Sequence, residues 1–290
     1  MYKVIFPILF FFSVWTAFGE AKIDISGKVE WDTMQIKADV SLDLASVGIK
    51  LPSGRTQGES ILSSGYSSLI RSGILELQVD SSSTIADLIN RGEFTLHEAE
   101  ALAISAQAVP PALSPDMRSI YSTYTIDLKG ISSALLKHSR PSAVARTLNP
   151  VSTAQYTGII IIASQNLLVY SMKSTVQPVP CLFPKIWDSD MNLLYERNML
   201  ESRDSTMVRY LPPVSIFQNN PSGLSPELQE FVGNRPLRIF ARGVFGINPT
   251  DLIIDRDDAM LIISSEENRR LLSQGKVAII LDDSVLRYDF

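Results

Sequence analysis

Apolar and polar residues alternate between positions 34 and 44. Ile36, Ala38, Val40, Leu42 and Leu44 fall on one side, and Lys37, Asp39 and Asp43 on the other. A period of two is the signature of a strand with one buried face. Ahead of it, residues 23–25 and 29–31 read as the arms of a short hairpin that turns at Ser26-Gly27. After the turn Leu51-Pro52-Ser53-Gly54-Arg55 the period changes. Ile61, Leu62, Tyr66, Leu69 and Ile70 recur at helical spacing and predict a helix over 56–72. Its remaining positions are largely serine, a surface suited to close packing.

Residues 74–79 read as a strand. Asp80-Ser81-Ser82-Ser83 then offers N-cap oxygens to a helix over 85–90 that Gly92 closes. Thr95, with Glu98 three residues on, forms a capping box. Leu96, Ala99, Leu102, Ala103 and Ala106 make that helix's apolar side, and Pro110-Pro111 stops it. A strand over 120–128 and a short helix over 130–138 follow.

The stretch 139–153 has Pro141, Pro150, several serines and no periodicity, which predicts a linker. Strands are expected over 157–163, 167–170, 183–187 and 192–195, the last two joined by the turn Asp188-Ser189-Asp190. Ser225 caps a short helix with Pro226 at its first position and Gly233 at its end. A strand over 237–244, a helix over 257–274 closed by Gly275, and an apolar strand over 276–281 complete the pattern. The expected fold is α+β, with two small mixed or antiparallel sheets each packed by helices. The expected units are an N-terminal domain over 20–140, a linker over 141–155 and a C-terminal domain over 156–290.

The first residues have a different character. Met1-Tyr2-Lys3 carries one positive charge, residues 4–15 are apolar, and Ala17-Phe18-Gly19 supplies small residues two positions apart. This is the layout of a secretory signal peptide cut after Gly19, with Ala17 at the −3 position. The apolar stretch is shorter than the ~20 residues that span a bilayer, which weighs against a retained anchor. No cysteine follows the cut to carry a lipid. The longest later apolar run, Gly158-Ile159-Ile160-Ile161-Ile162-Ala163, is only of strand length. The expectation is a mature chain in the periplasm with no transmembrane segment.

Composition narrows this further. The 290 residues are 45% hydrophobic and 20% charged, enough to bury a core. A net charge of −5 weighs against nucleic-acid binding, which needs a clustered basic surface. The lone Cys181 allows no internal disulfide; it reads as a small buried apolar side chain, with an intermolecular disulfide as the alternative.

Candidate chemistry is sparse. His97 and His138 lie in different elements without Cys or Glu at zinc-ligand spacing. The sequence has no Gly-Xaa-Ser-Xaa-Gly elbow, phosphate loop or dinucleotide fingerprint. Asp251, Asp255, Asp257 and Asp258 form the densest acidic cluster. They lack the glycine and terminal Glu of a calcium loop, and Asp255 and Asp257 suit the N-cap and first turn of the following helix. A carboxylate pair for glycoside hydrolysis stays open, with no pair singled out. Trp31 and Trp187 sit in strand patterns and read as core residues. No catalytic, cofactor-binding or metal-ligating residue is therefore assigned, and the chain reads as a non-enzyme.

The last third carries the most specific pattern. Arg235-Pro236-Leu237-Arg238-Ile239-Phe240-Ala241-Arg242-Gly243-Val244 leads into Asn248-Pro249-Thr250-Asp251-Leu252-Ile253-Ile254, then Asp258-Ala259 and Val277-Ala278-Ile279-Ile280-Leu281-Asp282. With Tyr156-Thr157-Gly158-Ile159-Ile160-Ile161, Pro184-Lys185-Ile186-Trp187-Asp188 and Leu194-Tyr195, this resembles the C-terminal module of envelope proteins of the flagellar assembly protein T (FlgT) type and related small lipoproteins. Leu51-Pro52-Ser53-Gly54-Arg55 and the helix after it are similar to spirochaete members. Two features depart from that pattern. Ile162-Ala163-Ser164-Gln165-Asn166 replaces an Asp-Ala-Arg-Gly-like stretch, and Met191 follows Asp190 where relatives have glycine. The resemblance implies a periplasmic accessory or assembly role without catalysis, with an envelope or flagellar basal-body protein as partner. A binding protein for a small ligand or peptidoglycan fragment would instead need an apolar pocket between the halves. A hydrolase would need paired carboxylates with perturbed pKa values.

Overall fold

A computed structural model describes residues 23–290 except Ser139 and Asp204. The signal-peptide region and its cut after Gly19 lie outside the described residues. The first unit contains β1 (Ile23–Glu30), β2 (Gln35–Asp43), α1 (Arg55–Glu76), β3 (Gln78–Asp80), β4 (Ser83–Thr84), α2 (Ile85–Asn90), α3 (Leu96–Ile104), β5 (Gln107–Ala108), β6 (Ala112–Leu113), β7 (Ser119–Asp127) and α4 (Leu128–Leu135). The alternation in β2 is realised: Ile36, Ala38, Val40 and Leu42 are all buried. Antiparallel pairing sets Ile36 beside Val29 and Ile126, Ala38 beside Tyr124, and Leu42 beside Ile120, so one face of the sheet is continuously apolar. Helix α1 lies on that face, and its Tyr66 ring stacks on Tyr124 at 4.0 Å. The opposite face is polar. Lys37 pairs with Glu30 there, and the Thr123 hydroxyl donates to Asp39.

Two local expectations are corrected here. No hairpin turns at Ser26-Gly27, because β1 runs through both residues. A Cβ on Gly27 or on Gly73 would overlap the ring of Phe290, so this glycine permits a close approach and makes no turn. The strand expected over 74–79 is realised only at its end: residues 74–76 are helix, and β3 begins at Gln78. Leu62, Ile70, Ile74 and Leu77 are fully buried and continue one stripe at helical spacing, so α1 absorbs residues up to Glu76. Both helices that follow carry true capping boxes, Thr84 with Asp87 and Thr95 with Glu98. The cap of α2 is Thr84 and not the preceding serines; Asp80 instead accepts from Ser82 and Ser83 and closes the β3–β4 turn.

The second unit contains β8 (Ile159–Ile162), β9 (Leu167–Val169), β10 (Thr175–Val176), β11 (Ile186–Asp188), β12 (Leu193–Tyr195), β13 (Arg209–Leu211), α5 (Pro226–Val232), β14 (Leu237–Phe245), β15 (Asp251–Ile254), α6 (Arg256–Ile263), α7 (Glu266–Ser273), β16 (Val277–Ile280), α8 (Asp283–Leu286) and β17 (Arg287–Asp289). The expected pair of small sheets is corrected to a 6-stranded antiparallel sheet and a 9-stranded mixed one, with β3–β4 as a separate ribbon. The large sheet runs β12-β11-β15-β14-β8-β16-β13 and curls into a half-barrel. Its centre is parallel: β8 pairs with both β14 and β16. β8 and β16 are apolar at every position because both of their faces are covered. Ile159, Ile161, Val277 and Ile279 face the main core, and Ile160, Ala278 and Ile280 face Leu228 and Val232 of α5.

The helix expected over 257–274 is two helices. Ser265 caps the second by accepting from the Asn268 amide. The linker over 141–155 has no regular secondary structure, but it is held down. Buried Asn268 accepts from the Tyr156 amide and donates to the Ala154 and Leu261 carbonyls, at 3.0, 2.9 and 2.9 Å. The two units also share more than a linker. One apolar cluster runs without a break from Val29 and Ile36 to Ile161 and Ile279. The last strand, β17, lies beyond the final strand expected at 276–281 and pairs with β1 of the first unit.

Candidate functional site

Two regions of the molecule carry side chains that the fold alone does not require: the seam between the units and the open face of the large sheet. At the seam, the β3–β4 ribbon of the first unit inserts into the second. The Leu182 and Phe183 amides donate to the Gln78 and Val79 carbonyls at 3.0 and 2.8 Å, and the Asn248 amide donates to the Ser81 carbonyl at 2.8 Å. The centre of this seam is Asp251, 1% exposed. Its carboxylate accepts from the Lys185 amide at 3.1 Å, the Thr250 and Ser81 hydroxyls at 3.3 Å each, and the Trp187 indole at 3.4 Å. Burial pushes its pKa up, and the hydrogen bonds from Lys185 and Trp187 work against that. Four donors around one carboxylate make a structural clamp between units.

The acidic cluster read from sequence is therefore split. Asp251 belongs to the seam, whereas Asp255 opens α6 and pairs with Arg242 at 2.6 Å. Asp257 and Asp258 occupy the first turn of α6, where the helix dipole favours negative charge. Burial, then Asp255, push the Asp258 carboxyl up, against the pull of Arg242. Among the described residues, no three His, Cys, Asp or Glu side chains come together as a metal site. The two histidines also stay apart in role. His97 is exposed on the first turn of α3, and a ring nitrogen of His138 meets the Leu200 carbonyl at 3.0 Å.

Cys181 is fully buried. The Tyr210 hydroxyl accepts from the Cys181 amide at 3.1 Å and donates to its carbonyl at 2.9 Å. Burial drives the thiol pKa strongly up, so neither access nor ionisation favours a disulfide to another chain. Trp31, just beyond β1, is buried and sets its ring edge-to-face with Tyr210 at 5.8 Å.

The large sheet leaves one face open where α5 ends. Helix α5 covers β8, β16 and β13 but not the strands beyond. Along β14, Leu237, Ile239 and Ala241 are buried while Arg238, Phe240 and Arg242 are exposed. An irregularity between Ala241 and Gly243 keeps Phe245 on the outer side. Phe245 contacts Tyr170 at 5.9 Å and Trp187 at 5.8 Å, both edge-to-face. Leu168, next to β14 in register, is 50% exposed and Phe240 is 58% exposed. The result is an apolar and aromatic surface on solvent, bordered by Arg242–Asp255 and Arg256–Asp190 ion pairs. Sequence reading assigned Trp187 to the core and gave Phe240 and Phe245 no role. The alternation of Arg238, Phe240 and Arg242 opposite Leu237, Ile239 and Ala241 was the available signal: an aromatic residue on the charged side of a strand.

Among the described residues, no helix is long and apolar enough to cross a membrane. No curated protein matches the chain. The family comparisons agree with neither flagellar assembly protein T nor the lipoproteins that the last third resembles. Residues 22–134 match the family model described as Treponema pallidum Tp0624, N-terminal domain. Residues 158–283 match that of Treponema pallidum Tp0624, second domain, a match that ends at the first residue of α8, ahead of β17. The chain is thus similar, in order, to the N-terminal and second domains of Treponema pallidum Tp0624.

Proposed function

We propose that this is an exported, non-catalytic interaction protein of the cell envelope that docks on a partner through the open face of its large sheet. The observation that carries this reading is the aromatic surface of Leu168, Tyr170, Trp187, Phe240 and Phe245. Contiguous exposed apolar surface of this kind marks an interaction site in a folded protein, and aromatic residues bordered by arginines are the side chains that dominate binding energy at protein interfaces. Export is supported by the charged, apolar and small-residue layout of residues 1–19. The absence of catalysis is an inference from the residues themselves: of the two buried acids among the described residues, Asp251 is occupied by four donors and Asp188 by the Asp190 and Asn192 amides and the Asn192 side chain, and Asp255, Asp257 and Asp258 serve a helix start. A flagellar partner rests on the sequence resemblance alone.

The test is affinity capture of the tagged protein from cross-linked cell envelopes, with partners identified by mass spectrometry. The expected result is enrichment of one envelope complex by the wild type and its loss with Phe240→Lys. Recovery of the protein alone in a soluble fraction, or capture that Phe240→Lys leaves unchanged, would overturn the docking reading.

A further inference from the structure

The seam holds a second feature that docking does not use. A cavity of about 350 Å3 opens where three stretches of chain meet: the first unit, the loop before β11, and the returning tail. Trp31, Val179, Pro180, Val285 and Tyr288 give it apolar and aromatic walls, and Glu76 supplies its charge. Pockets of this size, mostly apolar and placed between domains, are where small ligands bind.

The electrostatics of the site all have one sign. Glu76 is the last residue of α1, a helix of 22 residues, so its carboxylate lies at the negative end of a long helix dipole. A carboxylate there is unfavourable unless a cation offsets it. Among the described residues Glu76 is in no ion pair, and no lysine or arginine lines the cavity. On β1, Lys28 has the opposite strand parity to Gly27 and Val29, which face α1, so its charge is turned to the other side of the sheet. The indole and phenol rings of Trp31 and Tyr288 add quadrupoles whose faces attract positive charge. Burial, then the Glu76 carboxylate, push the Tyr288 hydroxyl up to about 12, so the charge of Glu76 reaches across the site.

We propose that this cavity binds a small organic cation, an ammonium group on an apolar body. The body lies against Val179, Pro180 and Val285, and the ammonium sits by Glu76 with the two aromatic rings. The site shares no residue with the aromatic face, so it stands or falls independently of the docking reading.

The experiment uses the whole protein with isotope-labelled tryptophan and follows the Trp31 indole resonance, assigned by elimination with Trp15→Phe and Trp187→Phe. Three probes of matched shape are titrated: phenethylammonium, phenethyl alcohol and hydrocinnamate. The ammonium is expected to shift the Trp31 signal saturably, the alcohol to bind roughly tenfold more weakly, and the carboxylate not to bind. Glu76→Gln, an exposed substitution with unchanged thermal unfolding, should reduce the ammonium to the affinity of the alcohol. Equal binding of ammonium and alcohol, an ammonium affinity that Glu76→Gln does not change, or a Trp31 signal that moves with none of the probes would overturn the proposal.

Discussion

The two large sheets each leave one face toward solvent, and they dress it in opposite ways. On the first sheet the open side presents Lys37, Asp39 and Thr123, tied to one another and to Glu30 across the strands. On the second it presents Leu168, Phe240 and Phe245. The buried faces differ just as clearly. The antiparallel strands of the first sheet alternate, because a single helical layer covers them. The parallel centre of the second is apolar on both sides, because helices cover both. Thus the same rule of burial explains both sheets up to the edge of α5. Beyond that edge, the aromatic face is the part that burial within this chain does not account for. That difference separates a face finished for water from one finished for contact.

The comparison can be broken first at the cores. Ile36→Ala in the first unit and Ile161→Ala in the second each remove a fully buried side chain, and each should cost about 2–5 kcal/mol in urea unfolding. Because one apolar cluster joins the units, both substitutions should lower a single cooperative transition; two separate transitions would mean that the units are independent. A smaller loss is expected at the linker clamp. Asn268→Ala strands the Tyr156 amide and leaves the Ala154 and Leu261 carbonyls to share the Thr153 hydroxyl, which should cost roughly 1–3 kcal/mol in the same measurement.

The seam and the returning tail should respond to pH in opposite directions. Asp32 binds Arg287 at the start of β17; burial raises its pKa, but the guanidinium outweighs that and holds the carboxyl below the usual range. Its contribution is therefore present above the unfolded value and is lost as pH falls through the lowered one. Asp251 is raised, so the folded state holds the extra proton between the unfolded and folded values, and stability declines as pH rises through that interval. Unfolding followed from about pH 3 to 6 should show Asp32→Asn and Asp251→Asn removing slopes of opposite sign. The smallest stability change is expected on the open faces. Phe240→Lys and Tyr121→Lys, one on each sheet, should both stay within about 0.5 kcal/mol of wild type. Only Phe240→Lys should abolish partner capture; equal loss from both would erase the distinction between the two faces.

Much of the fold was legible because its signals are local. The alternation of β2, the Thr95–Glu98 capping box, the Ser225-Pro226 helix start and the apolar runs of β8 and β16 all follow from side-chain period or from caps within four residues. The errors also have local causes. Gly27 looks like a turn because a glycine that admits a distant ring is indistinguishable in sequence from one that bends the chain. Residues 74–77 look like a strand because a short apolar run fits either period until the rest of the stripe is known. The strand over 251–254 was hidden by its own aspartate, which reads as part of an acidic cluster until Ser81 and Trp187 are brought beside it.

The sequence by itself determined most element types and their order, the alternating face of β2, the apolar runs of β8 and β16, and that the lone Cys181 forms no internal disulfide, since each depends on neighbours along the chain or on a simple count. Only the tertiary structure decided the rest. It fused the strands of the second unit into one large sheet, sent β17 back to β1 and placed Asp251 under four donors. It also left Phe240 and Phe245 uncovered where α5 stops, and set Glu76 beside Trp31 and Tyr288. Those outcomes depend on contacts between residues tens to hundreds of positions apart, and such pairing leaves no periodic trace in a single chain.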